Sequence, residues 1–197
     1  MHGFACDYTA AMILQTLAVM LLVAAPVQAP TQGGWQAAFW QSLQPLCGKA
    51  FEGRVIEAPP GDTTFADKRL VMHVRTCGPD AVRIPFHVGD DRSRTWVITR
   101  PGGSLRLEHD HRHEDGSEDK ITQYGGDARD GGSAERVEFG ADAHTVSLIP
   151  EAKTNVWTIE LVPGRQFVYA LRREGTDRRF RIEFDLSREV PAPPAPW

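Results

Sequence analysis

Cysteine is scarce in this chain, three among 197 residues, and no motif pairs Cys47 or Cys77 with a histidine or a second cysteine. That argues against a catalytic thiol. Basic residues form no stripe: the formal net charge is −4, and Arg172, Arg173, Arg179 and Arg181 are offset by Glu174, Glu183 and Asp185. The surface this implies is solvated and mixed in sign, not one that holds nucleic acid. No glycine run sits between a strand and a helix, which excludes a phosphate-cradling nucleotide loop. The serines stand in turn or surface contexts, so no Ser-His-Asp triad can be assembled. There is no internal repeat, no Lys or Arg before Lys49, and one long apolar run.

That run, Ala10 to Ala25, is broken only by Gln15 and Thr16 and is followed by Val27-Gln28-Ala29, small residues of the kind a signal peptidase requires. Residues 1–29 therefore read as a cleaved secretory signal, with Met12 as an alternative start. An uncleaved anchor or an ordinary buried helix are the other readings, the run being short for a span of about 20 residues. No lipid-attachment cysteine follows it. Cys6 and Asp7 leave with the leader, and the even pair Cys47 and Cys77 remains in an oxidising space. A disulfide is the simplest expectation, against two buried thiols that never meet. The expected location is periplasmic or secreted, with no stable membrane span after processing.

Residues 30–190 are long enough for one domain with a sizeable core, and 191–197, rich in proline, form an extended tail. Gly34 to Leu46 has the spacing of one short helix, with Trp35, Phe39, Trp40, Leu43 and Leu46 on its apolar side. Period-two segments then take over. Strands are expected near Arg54–Glu57, Leu70–Thr76, Val82–Val88, Thr95–Arg100, Leu105–His113, Ile121–Tyr124, Arg136–Phe139, Val156–Val162, Phe167–Arg172 and Phe180–Leu186. Gly102-Gly103, Asp115-Gly116, Gly125-Gly126, Asp130-Gly131-Gly132 and Pro163-Gly164 are suited to the turns between them. The fold class is all-β, an antiparallel meander closing into a barrel of lipocalin-like or fatty-acid-binding-like architecture with one N-terminal helix.

The polar constellation of most interest is Leu105 to His113. Strict alternation puts His109, His111 and His113 on the line of Leu105 and Leu107. Neighbouring imidazoles on one strand face can share a metal, so His109 and His111 are candidate ligands. Three in a row on one straight strand do not converge, so a further ligand would have to come from His73, His87 or His144. The alternative is a hydrogen-bonded or exposed row. No cofactor is called for beyond that divalent transition metal. A second cluster, Arg92, Arg94 and Trp96, shares parity and could offer two guanidinium groups and an indole to an anionic or aromatic ligand, or simply lead a charged loop into a core tryptophan.

Pro101-Gly102-Gly103, five residues, then His109-Asp110-His111 and Asp115 resembles the first motif of the cupins, in which two histidines and a carboxylate on a small β-barrel hold a metal. The resemblance implies a jelly roll as the alternative fold. The chain departs from it with Asp115 where cupins carry Glu, and it has no second Pro-x-Gly and histidine motif. Leu46–Gly53, Asp91–Trp96 and His109–Asp119 are similar to segments of an uncharacterised bacterial exported protein family. That resemblance spans most of the mature chain and implies export and a shared fold, with no activity to transfer.

Three functions are expected from these features. The first is small-molecule binding inside the barrel, with Trp96, Trp157, Phe167 and Tyr169 as aromatic wall and the histidines with Arg92 and Arg94 as polar end. The second is a metal-binding or metal-dependent protein centred on His109, His111 and His113. The third is a structural envelope protein whose barrel is filled by its own side chains. The sequence leaves the oligomeric state open. Export is checked by N-terminal sequencing of the protein recovered from the periplasm or medium: the expected first residue falls between Ala25 and Pro30, and an intact Met1 or Met12 end in a soluble cytosolic pool contradicts it.

Overall fold

The computed structural model describes residues 1–3 and 34–197; the leader assigned to residues 1–29 falls almost wholly outside them. Helix α1, Gly34–Leu43, is followed by a 3-10 turn at Gln44–Leu46, because Pro45 lacks the N–H that an α-helix would use there. Eleven strands follow: β1 Ala50–Glu57, β2 Leu70–His73, β3 Thr76–Cys77, β4 Ala81–Val88, β5 Asp91–Thr99, β6 Arg106–His111, β7 Tyr124–Asp127, β8 Arg136–Gly140, β9 Asn155–Val162, β10 Gln166–Arg173 and β11 Arg179–Val190. A second short helix, α2, covers Ala143–Leu148.

The pairing order is β7-β6-β5-β4-β2-β1-β11-β10-β9-β8, with β3 beside β4. Strands on that path therefore neighbour those before and after them in the chain, and β1 pairs with β11 to bring the two ends together. This is an antiparallel up-and-down barrel, the meander expected, and not the crossover order of a jelly roll. It is nearly closed at a seam between β7 and β8, where Ala128 bridges Phe139 and the Arg129 N–H donates to the Glu138 carbonyl at 2.7 Å.

The seam departs from the pattern that the sequence predicts. Gly125-Gly126 is not a turn; it forms the middle of β7, and that strand begins at Tyr124, where the expected strand Ile121–Tyr124 ends. A Cβ at Gly125 would lie 1.9 Å from the Leu107 carbonyl oxygen, and one at Gly126 1.9 Å from that of Gly140. Glycine is depleted from strands on propensity grounds, but here the backbones approach too closely for anything else. α2 staples the same place. Asp142 caps the helix by accepting from the Thr145 N–H at 2.7 Å. The buried Thr145 hydroxyl accepts from the Gly125 N–H and donates to the Gly125 carbonyl, at 2.7 and 2.8 Å.

Inside, one apolar cluster runs through the barrel, and α1 with its 3-10 turn adds Phe39, Trp40, Leu43 and Leu46 to it. The helix is anchored by the Gln36 side-chain oxygen, which accepts from the Leu105 N–H at 2.6 Å, and by Arg100 over the Trp40 ring. Outside, β8 to β11 and β1 carry a ladder of charge: Arg172 pairs with Glu138, Arg136 with Glu138 and Glu160, Arg181 with Glu160 and Glu183, and Arg54 with Glu183. An apolar interior beneath a charged wall reverses the arrangement of an outer-membrane barrel. Among the described residues no helix is long and apolar enough to cross a membrane.

Cys47 and Cys77 form a disulfide across a sequence separation of 30, tying the end of the helical segment to β3. Closing a loop of this length stabilises by about 3 to 4 kcal/mol in the chain-entropy model. A Cys47→Ala, Cys77→Ala double variant should lose about that much in urea unfolding. Gly126→Ala should lose about 2 kcal/mol or more by forcing the seam apart, and a change within about 0.5 kcal/mol, the range of an ordinary surface substitution, would show that the seam does not constrain the fold.

Candidate functional site

The interior is built by alternation. Register pairs Trp96 with His109 and Arg94 with His111 across β5 and β6, and His109 with Tyr124 across β6 and β7. Paired residues share a face, so these side chains converge, and β10 supplies Tyr169 and Phe167 from the opposite wall. Trp96 stacks on Tyr169 at 4.4 Å between ring centroids and on Phe86 at 4.7 Å, with Phe167 and Phe184 at 6.2 and 6.0 Å. Phe184 in turn fills the space over Gly53, where a Cβ would sit 2.6 Å from its ring.

His109 is fully occupied. Its Nδ1 lies 2.9 Å from the Tyr124 carbonyl, which can only accept, so Nδ1 carries the proton. Its Nε2 is then an acceptor and takes the Tyr169 hydroxyl at 2.8 Å. Tyr124 stacks on the imidazole at 4.5 Å, and Trp157 lies at 5.2 Å. Burial holds His109 down to a pKa of about 3, against smaller opposing help from the Tyr124 carbonyl. Burial likewise pushes the Tyr124 phenol up to about 12 and the Tyr169 phenol well above its usual value. A neutral imidazole held between the Tyr169 hydroxyl and the Tyr124 backbone carbonyl is a structural link in a hydrogen-bond chain. It is not poised to exchange protons near pH 7.

His111 is half-buried towards the end of this chain. Its Nε2 lies 3.1 Å from the Tyr124 hydroxyl, and its backbone N–H donates to the Thr122 hydroxyl at 2.7 Å. Burial and then Arg94 lower its pKa, with Asp119, Asp91 and Asp110 opposing. Arg94 is ion-paired with Asp91. Asp110, on the opposite strand face and buried, is held by Arg83 and Arg112, each at 3.1 Å.

The structure thus brings Trp96, His109, Trp157 and Tyr169 together, with Arg94 and His111 near them. It separates His113, which lies at the turn where its carbonyl accepts from the Gly116 N–H. The strand ends at His111, so alternation does not extend to the third histidine. Arg92 also leaves the group. A register shift between Phe86 and Val88 places an extra residue on β5, and such a bulge reverses the facing of the residues beyond it. Arg92 lies against the C-terminal tail outside the barrel, its guanidinium donating to the Ala195 carbonyl at 3.2 Å and resting over Trp197. Arg92 therefore does not share a face with Arg94 and Trp96, contrary to the parity of the sequence.

The extra ligands that a metal would need are not supplied. His73 and His87 face outward from β2 and β4, and His144 is exposed on α2. Among the described residues no group of three or more His, Cys, Asp or Glu side chains is arranged to hold a metal. Tyr124, which meets His109 through its carbonyl and His111 through its hydroxyl, is separable from ordinary core aromatics only once the register is known. No family model, curated protein or solved structure matches the chain.

Two outcomes are expected. Tyr169→Phe removes the donor to His109 Nε2 and leaves a buried acceptor unpaired, which should cost about 1 to 3 kcal/mol in denaturant unfolding. The unfolded chain protonates His109 below about pH 6.5 while the folded chain stays neutral down to about pH 3. The unfolded state then binds the extra proton, so stability falls as pH drops through that window, by about 1.4 kcal/mol per unit from this group. In His109→Phe that slope should shrink by roughly the same amount; an unchanged slope contradicts the burial of a neutral imidazole.

Proposed function

We propose that the protein is an exported, non-enzymatic β-barrel whose interior is filled by its own side chains, and that it serves the cell envelope as a structural or surface-binding module. The observation that carries this reading is the contact of the interior rings with one another. Trp96, Trp157, Phe167 and Tyr169, the residues suited to line a ligand cavity, are each at most 9% exposed and are stacked or tilted onto neighbouring rings. A barrel packed in this way leaves its outer face and rims to do the binding. Export is supported by the Ala10–Ala25 run, by the resemblance to exported proteins, and by a disulfide that belongs in an oxidising compartment.

Binding of a metal by His109 and His111 is disfavoured because both ring nitrogens of His109 already have partners. A metal at His109 would have to displace either a tyrosine hydroxyl or a backbone carbonyl. The test is native mass spectrometry with elemental analysis on untagged protein, wild type and His109→Ala, His111→Ala. The expected result is no stoichiometric transition metal and no retained molecule that depends on Trp96, His109 or His111. A bound species lost in the double variant, or lost on Trp96→Leu, would overturn the filled-barrel reading.

A further inference from the structure

Buried polar atoms in this protein are paired almost throughout, and the exceptions fall in one place. Among the described residues three buried side-chain nitrogens have no hydrogen-bond partner: His73 Nδ1, His87 Nε2 and Trp197 Nε1. All three belong to the outer face of β2 and β4 and to the tail that crosses it. His87 pairs directly with Val71 on β2, which puts His73 diagonally beside it on the same face. The β5 bulge turns Arg92 outward next to His87, and Arg92 in turn holds Trp197, whose backbone N–H donates to the Arg92 carbonyl at 3.2 Å. Between the wall and the tail lies a cleft of about 650 Å³ lined by Val71, His87, Arg92 and prolines of the tail.

The chemistry of these groups selects a ligand. An indole N–H and a guanidinium can only donate, and a neutral imidazole donates from Nε2 in one of its tautomers. Arg92 and Arg75 both act on His87, and that positive field opposes a metal cation as much as it opposes imidazolium. Of the other charged groups at the rim, Arg69 is paired with Glu52 and Asp91 with Arg94, leaving Asp90 at the turn. Orphaned buried donors in a native structure call for an acceptor that fills them. The apolar wall calls for more than a bare ion.

We propose that this cleft is a binding site for a small organic carboxylate, its oxygens taking hydrogen bonds from His87 Nε2 and the Arg92 guanidinium, with the Trp197 indole beside them under Arg92, and the ligand's apolar body lying between Val71 and the tail prolines. The site adds an external ligand to a barrel whose interior is filled, and its failure would leave that interior reading untouched.

The test uses the mature protein and benzoate as probe, reading the Trp197 indole N–H resonance, which Trp197→Phe identifies. Benzoate should shift it saturably with a Kd of about 1 mM or tighter, and Arg92→Gln or His87→Leu should each weaken binding roughly tenfold. Inorganic phosphate, with no apolar body, should bind about tenfold more weakly. Absence of a saturable shift by about 10 mM benzoate, or a shift indifferent to both substitutions, would overturn the site. Equal binding of phosphate would overturn the carboxylate assignment. A response to zinc chloride without one to benzoate would overturn the anion class in favour of a His73–His87 metal pair.

Discussion

The stacking of Trp96 between Phe86 and Tyr169 is the contact on which the rest of the molecule depends. It joins β4, β5 and β10, strands from opposite walls, and so sets the width of the barrel from within. An indole buried to this degree contributes on the scale of about 3 to 5 kcal/mol when truncated. The glycines at the seam and at Gly53 answer the same requirement. Where large rings occupy the centre, the wall must somewhere give up its side chains, and it does so at Gly53 opposite Phe184 and, between backbones, at Gly125 and Gly126.

The polar residues inside the barrel are best understood as accommodations to that filling. A Tyr169 hydroxyl in the middle of an aromatic stack needs an acceptor, and His109 Nε2 supplies it while its Nδ1–H satisfies the Tyr124 carbonyl. Tyr124 then reaches His111 at the wetter end. Each member answers the hydrogen-bonding demand of the previous one. A chain satisfied in this way rigidifies a core, and one left half-satisfied would weaken it.

Much of the fold is legible in the sequence because it is made by alternation. Phe180, Ile182, Phe184 and Leu186 announce β11, and Phe167, Tyr169 and Leu171 announce β10, since apolar side chains recur at every second position along one face. β7 is not legible, because a strand written Tyr-Gly-Gly-Asp carries no propensity signal and owes its place to backbone contact. α2 escapes notice for a related reason: six residues give too little periodicity, and its cap, Asp142, becomes recognisable only beside Thr145. Within the site, Trp96, His109, Trp157 and Tyr169 can be named from strand faces. Arg92 cannot be placed, because a single inserted residue at the β4–β5 bulge changes which side of the wall it occupies. His113 fails where the strand stops.

The inside and outside of the wall therefore have different chemistry. The inside pairs its polar atoms with one another, whereas among the described residues the outer face and the tail crossing it leave three nitrogens without a partner. The central claim, that the interior is occupied by the protein's own rings, is tested most directly by removing one and offering it back. In Trp96→Gly, added indole should raise the melting temperature saturably by refilling the vacated space, as apolar molecules enter engineered cavities. Indole should leave the wild type unchanged. Stabilisation of the wild type by indole in a Trp96-dependent manner would show that the barrel already has room for a guest, and would contradict the account.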